Sequence, residues 1–188
     1  MIKSFIFASD TNKITMNEII KINTIEAYNE VFGLETAHPL VGIVDLSKAT
    51  KRPSSVKMNF GVYALFLKGL KCGEIRYGRQ IYDYQEGTVT SFAPGQVVEV
   101  NIDPQAELTG KGLLFHPDVI KGTPIGRDIR NYTFFSYSSS EALHLSDEEK
   151  MIFTDCLNKI AIELDRPIDK FSKRLIAMNI ELLLNYCM

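Results

Sequence analysis

The sequence predicts a mainly β fold, a sandwich or barrel of short strands, followed by a helical C-terminal part. Three observations carry this. Between residues 39 and 115, short runs rich in branched and aromatic side chains are separated by turn residues. None of these runs alternates with a helix of 10–15 residues, which argues against a parallel α/β sheet. From residue 146 onward the apolar residues recur at helical spacing instead.

The first 33 residues mix a short apolar start with a polar segment and one short helix, residues 25–32. Thr24 supplies its N-cap and Gly33 its stop. Strands are expected at residues 40–46, 60–67, 75–84, 88–92, 97–102 and 112–115. Lys68-Gly69, Gln85-Glu86-Gly87, Pro94-Gly95 and Asp103-Pro104 supply the turns between them. Short helices are expected at 117–121 and 124–131. Ser146-Asp147-Glu148-Glu149 then forms a capping box, the serine hydroxyl taking a backbone N–H and Glu149 reaching back. Behind it Ile152, Cys156, Ile160 and Leu164, with Phe153 and Leu157, make one apolar stripe that ends at Pro167. Residues 1–115 and 116–188 thus read as two parts of a single structural domain.

The last helix, residues 170–187 with Asp169 as its cap, has a different pattern. Lys170, Arg174, Glu181 and Asn185 cluster on a narrow polar face. Phe171, Leu175, Ile176, Met178, Ile180, Leu182, Leu183 and Tyr186 spread over an arc of roughly 200°, where one-sided packing needs only about 100°. This helix therefore needs two neighbours. One is the preceding helix or the strands. The other is the same helix of a second chain or a further domain, with burial among elements of the same chain as the plainer alternative. The expected pairing residues are Leu175, Met178, Asn179, Leu182, Leu183 and Tyr186. The chain stops inside this apolar helix with no polar tail, which reads as a cut within a longer protein, with a naturally short protein as the alternative.

Composition narrows the function. With 188 residues, 45% hydrophobic and 23% charged, the chain can bury a substantial core. Its formal net charge of -2 lacks the basic excess that phosphate neutralisation requires, so DNA contact by this part alone is not expected. Cys72, Cys156 and Cys187 are odd in number and form no C-x-x-C pair, which points to a reducing compartment, the cytoplasm. No apolar run reaches the roughly 18 residues of a membrane span, and the start shows no signal-peptide cleavage pattern.

Chemistry-bearing motifs are sparse. His38, His116 and His144 lie in unrelated segments, each better suited to local hydrogen bonding than to one metal ion, so neither metal nor cofactor is expected. No nucleophile elbow and no phosphate-binding glycine loop is present, and Glu148-Glu149 sit where a helix dipole favours them, so no catalytic residue is assigned. The segment 76–84 is unusual in its arginines and tyrosines. On one continuous strand Arg76, Tyr82 and Tyr84 share a face, and turned inward they suit a carboxylate or hydroxyl-rich ligand. The plainer alternative is a solvated strand face with ordinary cross-strand pairs. Tyr63 and Phe66 point to opposite faces of their strand, so only one can join such an interior.

Several segments resemble one family. Gly87-Thr88-Val89-Thr90-Ser91-Phe92-Ala93-Pro94-Gly95-Gln96-Val97 looks like the strand–turn–strand of the sensor domain in bacterial AraC-type transcription regulators. Gly112-Leu113-Leu114-Phe115-His116-Pro117-Asp118, Gly122-Thr123-Pro124-Ile125-Gly126, Tyr132-Thr133-Phe134-Phe135-Ser136-Tyr137, Glu141-Ala142-Leu143-His144-Leu145-Ser146 and Leu182-Leu183-Leu184-Asn185-Tyr186 resemble a subgroup of it. The resemblance covers about residue 36 to the end. It implies a cupin-like, jelly-roll-type β-barrel followed by an antiparallel helical pair. It also implies a homodimer, an unidentified small-molecule effector in the barrel, and DNA contact only through a helix-turn-helix domain that follows this segment; Tyr63, Arg76, Tyr82 and Tyr84, read from their strand positions, are the residues expected to hold that effector. Val98 stands where many relatives carry a histidine, so no polar ligand contact transfers there. The competing expectations are a cupin-type metal-dependent enzyme and a stand-alone binding module.

Overall fold

A computed structural model describes residues 19–69, 73–77, 80–81, 87–105, 107–136, 143–166 and 170–188. Two sheets, mostly antiparallel, are followed by a packed helix pair. The chain begins with strand β1 (Ile19–Ile22) and helix α1 (Ile25–Phe32). As expected, Thr24 caps α1, its side chain accepting from the Ala27 N–H, and Gly33 ends it in the left-handed conformation at φ 64°. Strands β2 (Val41–Asp45), β3 (Ser55–Phe60), β4 (Tyr63–Lys68), β5 (Gly73–Tyr77), β6 (Gln80–Ile81), β7 (Thr88–Phe92), β8 (Val97–Ile102) and β9 (Gly110–Phe115) follow.

The first sheet has the order β1-β3-β8-β5-β6. The second is β7, β4, β9 and β2 in that order, with the short β10 (Leu143–His144) added outside β7. Among the described residues no ladder joins the two sheets into a closed barrel. β1 and β3 run parallel; every other pairing is antiparallel.

The burial pattern explains how the layers stack. On the first sheet Val56, Met58 and Phe60 are buried and alternate with the exposed Ser55 and Lys57. Lys57 meets its register partner Glu99 at 3.7 Å, and Ser55 donates to the Asn101 side chain at 2.8 Å, so the outer face of this sheet is solvated. The second sheet is buried on both faces. Ala64, Phe66, Phe92 and Leu114 join β1, β3, β8 and α1 in one core, while Leu65, Val89, Leu113 and Phe115 join the helices in another. A strand buried on both sides has no polar face to show, which is why β9 ends in Gly-Leu-Leu-Phe.

The helical layer comprises α2 (Pro117–Ile120), α3 (Pro124–Asp128), α4 (Asp147–Leu164) and α5 (Lys170–Tyr186), with 3-10 turns at Leu46–Lys48, Ile129–Asn131 and Thr133–Phe135. The capping box of α4 is present in full: Ser146 N–H donates to Glu149 Oε2 at 2.7 Å and Glu149 N–H to Ser146 Oγ at 3.3 Å.

Several sequence expectations are corrected. The run at 60–67 is not one strand: β3, not expected from the sequence, ends at Phe60, the chain turns at Gly61-Val62, and β4 starts at Tyr63. The run at 75–84 is not one strand: β5 and β6 are a hairpin pairing Arg76 with Ile81 and Tyr77 with Gln80. β1 and β10 gave no strand pattern strong enough to read alone. The helix expected at 124–131 gives way to 3-10 geometry after Asp128. Pro167 and the expected cap Asp169 lie outside the described residues.

Candidate functional site

The candidate site is built on α5. Ala177 is buried, and Ile176, Ile180, Leu183, Leu184 and the following Cys187 are buried and packed with Phe153, Cys156, Leu157 and Ile160 of α4 into the second core. The opposite side of the same helix carries Phe171, Leu175, Met178, Leu182 and Tyr186, which are 62%, 42%, 53%, 41% and 44% exposed. The first four recur at steps of four, three and four residues, the spacing of a coiled-coil seam. Isolated exposed apolar residues are ordinary. A row of five large ones along a single helix is an interaction-surface pattern.

Of the residues expected to pair, Leu175, Met178, Leu182 and Tyr186 lie in this row. Asn179 flanks it half-buried, its amide donating to the Leu175 carbonyl at 2.9 Å. Leu183 is a correction. It is fully buried against its own chain, because a 200° apolar arc contains two faces and Leu183 belongs to the inner one. Phe171, read only as part of that arc, opens the row.

The helix is tied to the sheets through a relay of polar contacts. Tyr132 Oη donates to Asn185 Oδ1 at 2.8 Å. Burial raises the Tyr132 phenol above its ordinary range, helped by the charges of Glu181 and Asp128, so it stays a donor. Next along the chain, the carbonyls of Phe134 and Phe135 accept from Ser91 Oγ and Gln96 Nε2, both at 2.8 Å. Gln96 also accepts from Ala93 N–H at 2.7 Å, which closes the Pro94-Gly95 turn. The β7–β8 turn and the end of α5 thus grip the same 3-10 segment.

Of the expected ligand residues, Tyr63 and Arg76 are not brought together. Tyr63 faces the helical layer, stacked on Phe115 at 5.0 Å with Phe135 edge-on at 5.0 Å. Burial raises its phenol, opposed by the nearby Arg130 charge. Arg76 is exposed and lies opposite Glu99 on the outer face of the other sheet. A whole sandwich separates the two. Tyr82 and Tyr84 lie outside the described residues. Between the sheets, Phe60 stacks on Phe92 at 5.1 Å and Tyr28 on Phe66 at 5.5 Å.

His38 and His116 act locally. His38 Nδ1 accepts from the Leu40 and Val41 N–H groups, both at 3.1 Å, and burial lowers its pKa. His116 caps α2 by accepting from Asp118 N–H at 3.2 Å. Among the described residues no three His, Cys, Asp or Glu side chains converge as metal ligands, and no helix is long and apolar enough to cross a membrane. No family model matches the chain, and no curated protein matches it.

Proposed function

We propose that this chain is the ligand-sensing and dimerising part of an AraC-type transcription regulator in the cytoplasm. In this reading its two sheets are a cupin-like jelly roll, α4 and α5 are the antiparallel helical pair, and the chain is not an enzyme. The exposed row Phe171–Leu175–Met178–Leu182–Tyr186 carries the proposal. In water such a row gains free energy by being covered, and a two-fold axis beside α5 covers it with its own copy. A helix-turn-helix domain following α5 would be placed by that pairing. An effector that binds two arrangements of the pair with different affinity would then alter DNA contact. The relay from Gln96 through Phe135 to Asn185 supports this, since it makes the position of α5 depend on the sheets.

Sedimentation equilibrium of the chain over a wide concentration range tests the proposal. A monomer–dimer equilibrium is expected. A strict monomer at every concentration, in this segment and in the longer protein alike, refutes it.

A further inference from the structure

A groove of about 700 Å³ opens where the end of α1, the edge strand β2 and α4 converge. Its floor is apolar, formed by Leu34, Ile43, Leu157 and Ala161. Its rim carries Glu35, Asp45, Lys48 and Lys111. The walls are held in place beforehand: Thr50 Oγ1 donates to the Gly33 carbonyl at 2.7 Å, Lys51 N–H to the Phe32 carbonyl at 3.0 Å, and Asn29 Nδ2 to the Glu35 carbonyl at 3.0 Å.

The rim charges are uncommitted in a specific way. Asp45 and Lys111 are register partners on one face of the sheet, yet they make no ion pair. Asp45 instead accepts from Ser47 N–H at 3.1 Å and Ser47 Oγ at 2.6 Å. Among the described residues Lys48, Lys111 and Glu35 make no ion pair either. Two free ammonium groups therefore stand at the β2–β9 side and a free carboxylate at the α1 side, above an apolar floor.

We propose that this groove binds a small zwitterion with an apolar body, a free amino acid or short peptide with aliphatic side chains. Its carboxylate meets Lys48 and Lys111, its ammonium meets Glu35, and its side chains cover Leu34, Ile43, Leu157 and Ala161. A simple anion is disfavoured because Glu35 and Asp45 share the rim, and an uncharged apolar ligand leaves Glu35, Lys48 and Lys111 partly desolvated without ion-pair partners. The volume lies within the range of small-molecule pockets, about 300–1,000 Å³. Leu157, Asn158 and Ala161 belong to α4, the helix on which α5 packs, so an occupant touches the support of the pairing helix. That link rests on the proposed function; the site itself does not.

Titration calorimetry with the dipeptide Leu-Leu, its N-acetyl form and its C-terminal amide tests the site. Leu-Leu is expected to bind, and each capped form at least about tenfold more weakly, as loss of a charge-assisted contact implies. Lys111→Met should weaken Leu-Leu at least about tenfold but leave the amide nearly unchanged; Glu35→Gln should do the same with respect to the acetylated form. Both positions are exposed, so the variants fold. No binding of Leu-Leu, equal binding of the capped forms, or indifference to both substitutions overturns the site. Binding of Leu-Leu that leaves the monomer–dimer equilibrium unmoved overturns only the link to α5.

Discussion

Met178→Glu is the most direct perturbation of the α5 surface. Met178 lies mid-row and is 53% exposed in the single chain. Fully burying such a side chain is worth about 1.5–3 kcal/mol, so covering the exposed half contributes about 1 kcal/mol at each end of a two-fold contact. Replacing it removes about 2 kcal/mol per dimer, and a carboxylate that must be desolvated among leucines adds a further cost of roughly 1 kcal/mol. At 1.4 kcal/mol per tenfold, the dimer dissociation constant should rise by about 100-fold. Methionine and glutamate have similar helix propensities and the position faces water, so the melting temperature should hardly change. The assay is sedimentation velocity across concentration, beside an Ile162→Glu control. Ile162 is 52% exposed but sits on α4, outside the row. A Kd for Met178→Glu within about threefold of the parent, or an equal effect of Ile162→Glu, refutes the assignment of α5 as the contact.

Other consequences concern the scaffold. Gln96→Leu leaves the Phe135 carbonyl and the Ala93 N–H buried without their partners and should cost about 2–4 kcal/mol in urea unfolding. Ser146→Ala removes the α4 cap and should cost about 1 kcal/mol at neutral pH. The hydrogen bonds from Ser146 hold Glu149 below its ordinary value of 4.5. Their stabilisation is fully present above that value and is lost as pH falls through the folded one. The gap between the parent and Ser146→Ala curves should therefore narrow in acid, leaving the part due to the Glu149 N–H bond to Ser146 Oγ, measured by urea unfolding at stepped pH. Cys156 and Cys187 are buried, and burial pushes the Cys187 thiol up to about 12, so a thiolate-selective disulfide reagent should reach both only on unfolding. Rapid labelling of either in the native state contradicts that burial.

Local chemistry made a good part of this fold legible from the chain. Thr24 and Gly33 bracket α1 and Ser146 with Glu149 starts α4 because capping is decided within a few residues. The excess apolar arc of α5 was legible for the same reason, since helical geometry fixes which residues share a face. Which of two apolar faces turns inward is a tertiary matter, and Leu183 shows it. Its side chain is as apolar as that of Leu182, and only the position of α4 separates the two.

The ligand residues were least legible. The expectation for Arg76, Tyr82 and Tyr84 assumed one straight strand, and the β5–β6 hairpin removes that premise by reversing the chain. The groove at α1, β2 and α4 left no motif, because its lining comes from residues 33–50, 111 and 157–161, brought together only by packing. The sequence alone determined the short-range facts: element types, caps and the overabundance of apolar surface on the last helix. Only the tertiary structure decided which strands pair, which side of each sheet is covered and where charges are left without partners. Those outcomes depend on contacts between distant segments, and no local pattern encodes them.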